Sequence, residues 1–380
     1  MSANNNPAVA ASLTQTKAVY DRLQGQIDTL AQTVHVSHNV ITSSVTSWAD
    51  VQAIVRGGLA DKAFPIGTKM YCRKDNVTLE WDVIGIDHDT PADPQFTHSL
   101  TLQLHDCFPT FIQFDAPEAL YYCETGLEAG TYHFTLSGTD YQFTASADIA
   151  AGSQLMLAFT GNVPSGITVA DTKGGAVSEG SITVTAGSGG TALDTDYLND
   201  INRVIYGSNN YKESAVRQWL GSSAATGSVW TPQNDFDRPP DWTSTANGFM
   251  NGMDGDFLAV LGNVTKVTAA PGSNTPDTTT DPFFLLSRSE VYGGLENGVD
   301  EGAPYPYYAN YSNLSSAGTG ADANRVKYIG STACQQFLRT PAVGQSSRVR
   351  HLNVSGQASG SQVAVNGSNP DYVAPACCII

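Results

Sequence analysis

The chain has 380 residues, with 36 Asp plus Glu against 19 Lys plus Arg for a formal charge of −17, and 41% of its residues are hydrophobic. An acid excess of this size leaves no basic footprint for neutralising phosphates, which argues against nucleic acid and anionic lipid as partners. The apolar fraction excludes wholesale disorder, while 36 Gly and 18 Pro point to many short strands joined by turns.

The length suits two domains with an appendage. No stretch approaches the ~20 apolar residues of a membrane span, so no membrane insertion is expected. The start, MSANNNPAVAAS, lacks a basic segment followed by an apolar core and reads as no secretory signal. The six cysteines (Cys72, Cys107, Cys123, Cys334, Cys377 and Cys378) include no CxxC pair, and the first three have apolar or aromatic neighbours. They read as buried free thiols of a protein made in a cytoplasm.

In chain order, Leu13, Tyr20, Leu23, Ile27, Leu30 and Val34, with Thr16 in the remaining slot, alternate steps of four and three and predict an N-terminal helix over 1–36. So short a helix buries too little alone. Either it docks on its own domain or several copies wind together, with three strands favoured over two. A polar connector follows, then a short helix through Trp48, Val51, Ile54 and Val55 that ends near Gly57-Gly58. The segment FPIGTKMYCRKDNVTLEWDVIGIDHD predicts two strands with Leu79, Trp81 and Val83 on one face, and Thr97 to Leu104 predicts another.

Beyond Tyr122 the texture changes. Tyr132, Phe134 and Leu136 share one parity, Tyr141 and Phe143 share the next, and Ser137-Gly138-Thr139-Asp140 makes a turn between them. Leu155, Leu157 and Phe159 continue the pattern, which predicts a small β-sandwich inserted over 124–190 and closed by a Gly-rich linker at 186–190. Tyr197, Leu198, Ile201, Val204 and Ile205 fit a helical stripe, and Asn210 with Glu213 reads as a capping box before the helix SAVRQWL. Phe283-Phe284-Leu285-Leu286 is a buried-strand candidate in an otherwise non-helical remainder.

The ordered segments TLEWDVIGID, IYGSNNYKESAVRQWLGS, GFMNGM, DPFFLLSRSEV, NRVKYIG, QFLRTP and YVAPACCII resemble the bacterial and phage DUF6273 family, over roughly residues 60–118 and 195–380. The family's Trp-Leu-Arg-Ser-Pro appears here as Phe337-Leu338-Arg339-Thr340-Pro341. The resemblance implies an α+β fold, a C-type lectin-like domain of the formylglycine-generating-enzyme type. That domain would be in two parts, 37–123 and 191–380, around the inserted sandwich and behind an N-terminal coiled-coil helix.

Residues 342–372 resemble, in addition, the C-terminal variable regions of diversity-generating retroelement target proteins, which are receptor-binding proteins of phages or surface adhesins. The resemblance implies a ligand-binding surface made of Gln345, Ser346, Ser347, Arg348, Arg350, His351, Asn353, Gln357, Ser359, Ser361, Gln362, Val363, Val365, Asn366, Asp371 and Tyr372, with Tyr307, Tyr308 and Tyr311 as accessories. From alternation alone, Leu352 and Val354 facing the core would turn His351, Asn353 and Ser355 outward, with a turn at Ser355-Gly356. Packing Ala364 inward would then expose Val363 and Val365, whereas the swapped register buries both valines.

These implications combine into one expectation: a phage or prophage receptor-binding protein of the tail-fibre type, a homotrimer made in the bacterial host cytoplasm and carried on the virion's tail or surface. It would take a host cell-surface protein or glycan as ligand and meet other virion proteins through its N-terminal helix. A structural virion component and a formylglycine-generating-type metalloenzyme are the alternatives.

Enzymatic chemistry finds little support. There is no G-x-S-x-G elbow and no Cys/His signature. Cys377 and Cys378 are adjacent, so a strand would send them to opposite faces. Asp254-Gly255-Asp256 and Asp300-Glu301 lack the six or more oxygens calcium prefers and read as polar turns. Among the seven histidines only His35 and His38 come near a ligand spacing. No metal, cofactor or catalytic residue is expected. Arg339, alone in a hydrophobic motif, reads as an anchor for backbone carbonyls or a buried carboxylate.

Overall fold

The computed structural model describes residues 45–115, 118–123, 126–136, 138–151, 153–158, 183–192, 194–198, 209–231, 240–270, 273–296, 298–309, 323–342, 348–357, 362–364 and 371–380, together with Val19, Arg22–Gln24 and Gln26. Those last five residues are helical; the rest of the expected coiled coil, with His35 and His38, lies outside the described residues. The molecule is of mixed class, mostly sheet with few short helices and, among the described residues, no closed barrel. No described helix is long and apolar enough to cross a membrane.

Helix α1 (Trp48–Arg56) begins on a reciprocal cap: Ser47 Oγ accepts from the Asp50 amide at 3.2 Å, and Asp50 Oδ2 accepts from the Ser47 amide at 2.9 Å. It buries Val51 and Val55 and ends where the Gly57 amide bonds Ala53 O, as the sequence leads one to expect. After α2 (Ala60–Ala63), strands β1 (Lys69–Lys74) and β2 (Val77–Ile86) form a tight hairpin through Asp75, at φ 53°. Leu79, Trp81 and Val83 are all buried, and β3 (Leu100–Leu104) pairs antiparallel with β2.

Seven strands follow: β4 (Glu118–Cys123), β5 (Gly130–Leu136), β6 (Thr139–Ala145), β7 (Ser153–Ala158), β8 (Thr185–Ala186), β9 (Thr191–Ala192) and β10 (Asp194–Leu198). They form two sheets, in the orders β10-β7-β4 and β8-β5-β6-β9. Phe134 and Phe143 are buried, with ring centroids 6.4 Å apart. The helix expected through Tyr197 and Leu198 is corrected: both residues belong to β10, where pairing with Leu155 and Gln154 of β7 overrides a local helical stripe. The predicted cap also divides. Asn210 accepts from the Lys212 amide and starts a 3-10 turn over Tyr211–Glu213, while Ser214 caps α3 (Ala215–Leu220).

The remaining elements are α4 (Gly255–Ala259), β11 (Leu261–Gly262), β12 (Val264–Ala270), β13 (Ser273–Asp281), β14 (Phe283–Phe284), α5 (Arg288–Tyr292), α6 (Pro306–Ala309), β15 (Lys327–Ile329), β16 (Thr332–Pro341), β17 (Arg348–Leu352), β18 (Gln362–Ala364), β19 (Asp371–Tyr372) and β20 (Ala376–Ile379). The largest sheet runs β1-β2-β3-β20-β11, with β14 also pairing β20. The last strand is therefore inserted between β3 and β11, strands far apart in the chain. A second sheet runs β15-β16-β17-β18, with β19 parallel to β16.

Two cores flank the largest sheet. One holds Trp81, Phe249, Phe257 and Phe283, with Trp81 5.5 Å from Phe257 and 6.1 Å from Phe283 between centroids. The indole N–H of Trp81 donates to Cys72 Sγ at 3.2 Å, so its one polar atom is satisfied. The other core gathers Ile84, Phe284, Leu286, Leu338 and Leu352 under α5 and α6. All four residues from Phe283 to Leu286 are buried. Truncating a fully buried aromatic such as Trp81 to Ala removes about 3–5 kcal/mol, which makes this layer the rigid base for whatever the second sheet carries.

Candidate functional site

The second sheet is fastened by buried charge to α5 and by hydrogen bonds to β12. Arg339 in β16 is fully buried, and its guanidinium donates to Glu290 Oε2 at 2.5 Å, to Thr268 Oγ1 at 3.1 Å, and to the carbonyls of Leu285, Glu301 and Val267 at 2.8, 2.8 and 3.1 Å. This is the anchoring role expected from the sequence. Burial works against the Glu290 carboxylate, but Arg339 and Lys266 outweigh it and hold Glu290 below the usual carboxylate range. Glu301 differs. Burial raises it to about 7 despite the Arg339 charge and hydrogen bonds from Thr340 and the Ala269 amide. Asp300 caps its own turn by accepting from Gly302, whereas Asp254 Oδ2 accepts from the Arg73 amide at 2.7 Å and so ties its loop to distant β1.

Upon this frame β17 carries the first part of the expected recognition segment. Val349 is buried and pairs with Pro341 of β16, which leaves Arg348 exposed and Arg350 half-buried on either side of it. Arg350 is not loose: its Nε and Nη2 donate to Glu296 at 2.9 and 2.8 Å, and Arg288 Nη1 donates to the same carboxylate at 2.9 Å. Glu296 is itself buried. A buried carboxylate between two guanidiniums fixes where the outer one points. Strand β18 ends the sheet, with Gln362 opposite Arg350, Val363 opposite Val349 and Ala364 opposite Arg348.

Asn353 and Gln357 are half-buried and hold the turn between these strands. Asn353 Oδ1 accepts from the Ser355 and Gln357 amides at 2.9 and 3.0 Å, and its Nδ2 donates to Gln357 Oε1 at 3.2 Å. Gly356, at φ 70°, lies in the expected turn. Val354, expected inward, is exposed at its tip.

Three expected surface residues are corrected. His351 is buried, because it pairs with Phe337 of β16 where β17 is covered on both faces, as the burial of both His351 and Leu352 indicates. Its Nδ1 lies 3.4 Å from Oδ1 of Asp371, which is also fully buried and is brought alongside β16 by β19. Tyr308 is buried too, and its hydroxyl donates to Gln103 Oε1 in the largest sheet. Tyr372 is half-buried. Gln345, Ser346, Ser347, Ser359, Ser361, Val365, Asn366 and Tyr311 lie outside the described residues.

Tyr307 belongs to another constellation that the sequence reading missed. Its hydroxyl lies 3.4 Å from Oδ2 of buried Asp82, which also meets His105 Nδ1 at 2.7 Å. His105 Nε2 in turn lies 3.3 Å from the Lys69 ammonium. Lys69 also contacts Glu80, whose carboxylate is pulled below its usual range by Lys69 and His105 against the effect of burial. Glu80, Asp82 and His105 offer ligand atoms within 4.8 Å of one another, close enough to share a metal ion. The Lys69 ammonium already sits against Glu80 and His105, offsetting one of the two carboxylate charges. Alternation along β2 and β3 was legible, but no spacing within one segment announces a cluster spread over β1, β2 and the end of β3.

A family model described as a domain of unknown function, DUF6273, matches residues 188–380, just over half of the chain. No curated protein and no solved structure matches.

Proposed function

Taking as its premise that the chain belongs to the DUF6273 family, we propose that this is a non-enzymatic ligand-binding protein whose recognition surface lies on the outer side of β17 and β18. The observation that carries this reading is the contrast within β17: Val349 and His351 are buried on one face, while on the other Arg348 is exposed and Arg350 is clamped by Glu296. A strand buried along one face and holding a clamped guanidinium beside an exposed one on the other is a partly preorganised binding element, since Arg350 loses little side-chain freedom when ligand arrives. His351 and Asp371 act beneath that surface as support.

In this reading the domain is C-type lectin-like, and the segment around residues 342–372 is the diversifiable part. The protein is a phage or prophage receptor-binding component carried on the virion, with a host surface protein or glycan as its ligand. Trimerisation through the N-terminal helix would multiply weak single-site binding without new contacts.

The test is binding of the full-length, fluorescently labelled protein to a panel of intact bacterial cells and to an immobilised-glycan array. Saturable binding that weakens about tenfold in Arg348→Ala, the size of a modest hot spot, with an unchanged unfolding midpoint, supports the proposal. Absence of saturable binding, or binding indifferent to both Arg348→Ala and Gln362→Ala, overturns it.

A further inference from the structure

One cluster is not explained by recognition. Lys266 of β12 sends its ammonium into a buried space bounded by α5, β14 and the segments after β2 and before α6, where Nζ contacts Asp89 Oδ1 and lies 2.9 Å from Glu290 Oε1 and 2.7 Å from the Tyr305 hydroxyl. The Phe284 ring centroid is 4.2 Å from Nζ, and His88 stacks on Tyr305 at 4.0 Å. Lys266, Asp89 and Glu290 are 3, 8 and 2% exposed. The two oxygens of Asp89 are treated differently. Oδ2 accepts O–H donors from Tyr305 at 2.8 Å and Thr101 at 2.5 Å, while Oδ1 faces the amine.

We propose that Lys266 and Asp89 are joined by an intramolecular isopeptide bond formed by the protein itself, with Glu290 as the proton-transferring base. The arrangement supplies each part of an acyl transfer. The nucleophile touches the carboxyl group, a carboxylate touches the nucleophile, and two fixed O–H groups polarise the oxygen that becomes the amide carbonyl. Proximity is provided by the fold, so no activation by a second molecule is needed.

The atoms balance as a condensation. The Lys266 ammonium hands one proton to Asp89 Oδ1, which it already touches, and as the resulting amine forms a C–N bond at Cγ of the neutral carboxyl group, Glu290 Oε1 takes a second proton from its nitrogen. The Cγ–Oδ1 bond then breaks. Oδ1 leaves with two of the three ammonium hydrogens as one water, and the third remains as the amide N–H. Glu290 returns its proton to the departing oxygen and ends as it began, ionised beside Arg339. Nothing is oxidised or reduced. The resting pair is ionic, since Lys266 holds Asp89 below the usual carboxylate range even though burial pushes it up. The product has no charge left to desolvate, and a dry interior gives the released water no reason to stay.

The bond would connect residues 177 apart in sequence and close a loop that contains both sheets of residues 118–198. It would fasten the early strands to the late ones covalently, a useful property in a protein that holds a load. This inference does not depend on which ligand, if any, β17 and β18 bind.

The experiment is intact mass spectrometry of the full-length protein under denaturing conditions, with a proteolytic map that reads the chain ends and locates any linkage, on wild type and on Lys266→Arg. The expected result is a wild-type mass lower than the sequence mass by one water, with the peptides containing Asp89 and Lys266 recovered as one linked species, and the full sequence mass in Lys266→Arg. A wild-type chain at full sequence mass, or a deficit that persists in Lys266→Arg, overturns the proposal.

Discussion

Cys377 and Cys378 are neighbours in β20 and lie in different hydrophobic cores, the first with Trp81 and Phe283, the second with Phe284 and Leu338. Strand alternation causes this, and the sheet they belong to is covered on both faces. Burial pushes both thiols well above the ordinary range and raises Cys72 to about 12. Since the thiolate is the reactive form, Cys72, Cys107, Cys334, Cys377 and Cys378, all buried, should resist a thiol-labelling reagent in the native protein. They should label together on global unfolding. Peptide mapping after pulse labelling checks this, and rapid native labelling of Cys377 or Cys378 would contradict the packing.

Arg339→Lys should destabilise the fold by about 3–5 kcal/mol, the cost of breaking a buried charge pair. A lysine ammonium cannot satisfy Glu290 and the carbonyls of Leu285, Glu301 and Val267 at once. The urea midpoint reports the loss, and a change under 1 kcal/mol would mean that the network is dispensable.

Stability should fall as pH rises from about 4.5 to about 7. Glu301 titrates near 7 in the folded chain against an ordinary value of 4.5, so between those values the native state holds a proton the unfolded chain has lost. The total effect is roughly 3 kcal/mol. Glu290 acts oppositely. It is held low, so the stability it contributes is present above its ordinary range and is lost as pH drops below it. Mild acid should therefore give the highest stability. Urea titrations across pH should lose the upper slope in Glu301→Gln, and an unchanged slope in that variant would assign it to another group.

Two neighbouring arginines should behave differently. Arg350→Ala leaves the buried Glu296 carboxylate with Arg288 and should cost about 2 kcal/mol, the scale of hydrogen bonds to a charged group. Arg348 is exposed, and Arg348→Ala should stay within ~0.5 kcal/mol. Thermal unfolding of the two variants separates a clamp residue from a free surface residue, and equal costs would contradict the assignment.

Sequence by itself determined the elements whose signal is local. The apolar stripe of α1 and its Gly57-Gly58 stop specified that helix, alternation specified β2 and the β5–β6 hairpin, and the run at Phe283–Leu286 specified a buried segment. Arg339 was legible as an anchor because an isolated guanidinium among apolar residues must find acceptors. The hairpin of β12 and β13 was not legible, since Thr, Lys and Asp fill it without an apolar period. Tyr197 and Leu198 were misread because a helical stripe is a weak preference that strand pairing overrides. Whether His351 and Asp371 face water depended on which strands lie against β17 and β16, and which base meets Lys266 depended on residues drawn from four separate segments. Such relationships arise only when the chain closes on itself, because contact energy depends on distance in space and not on separation along the backbone.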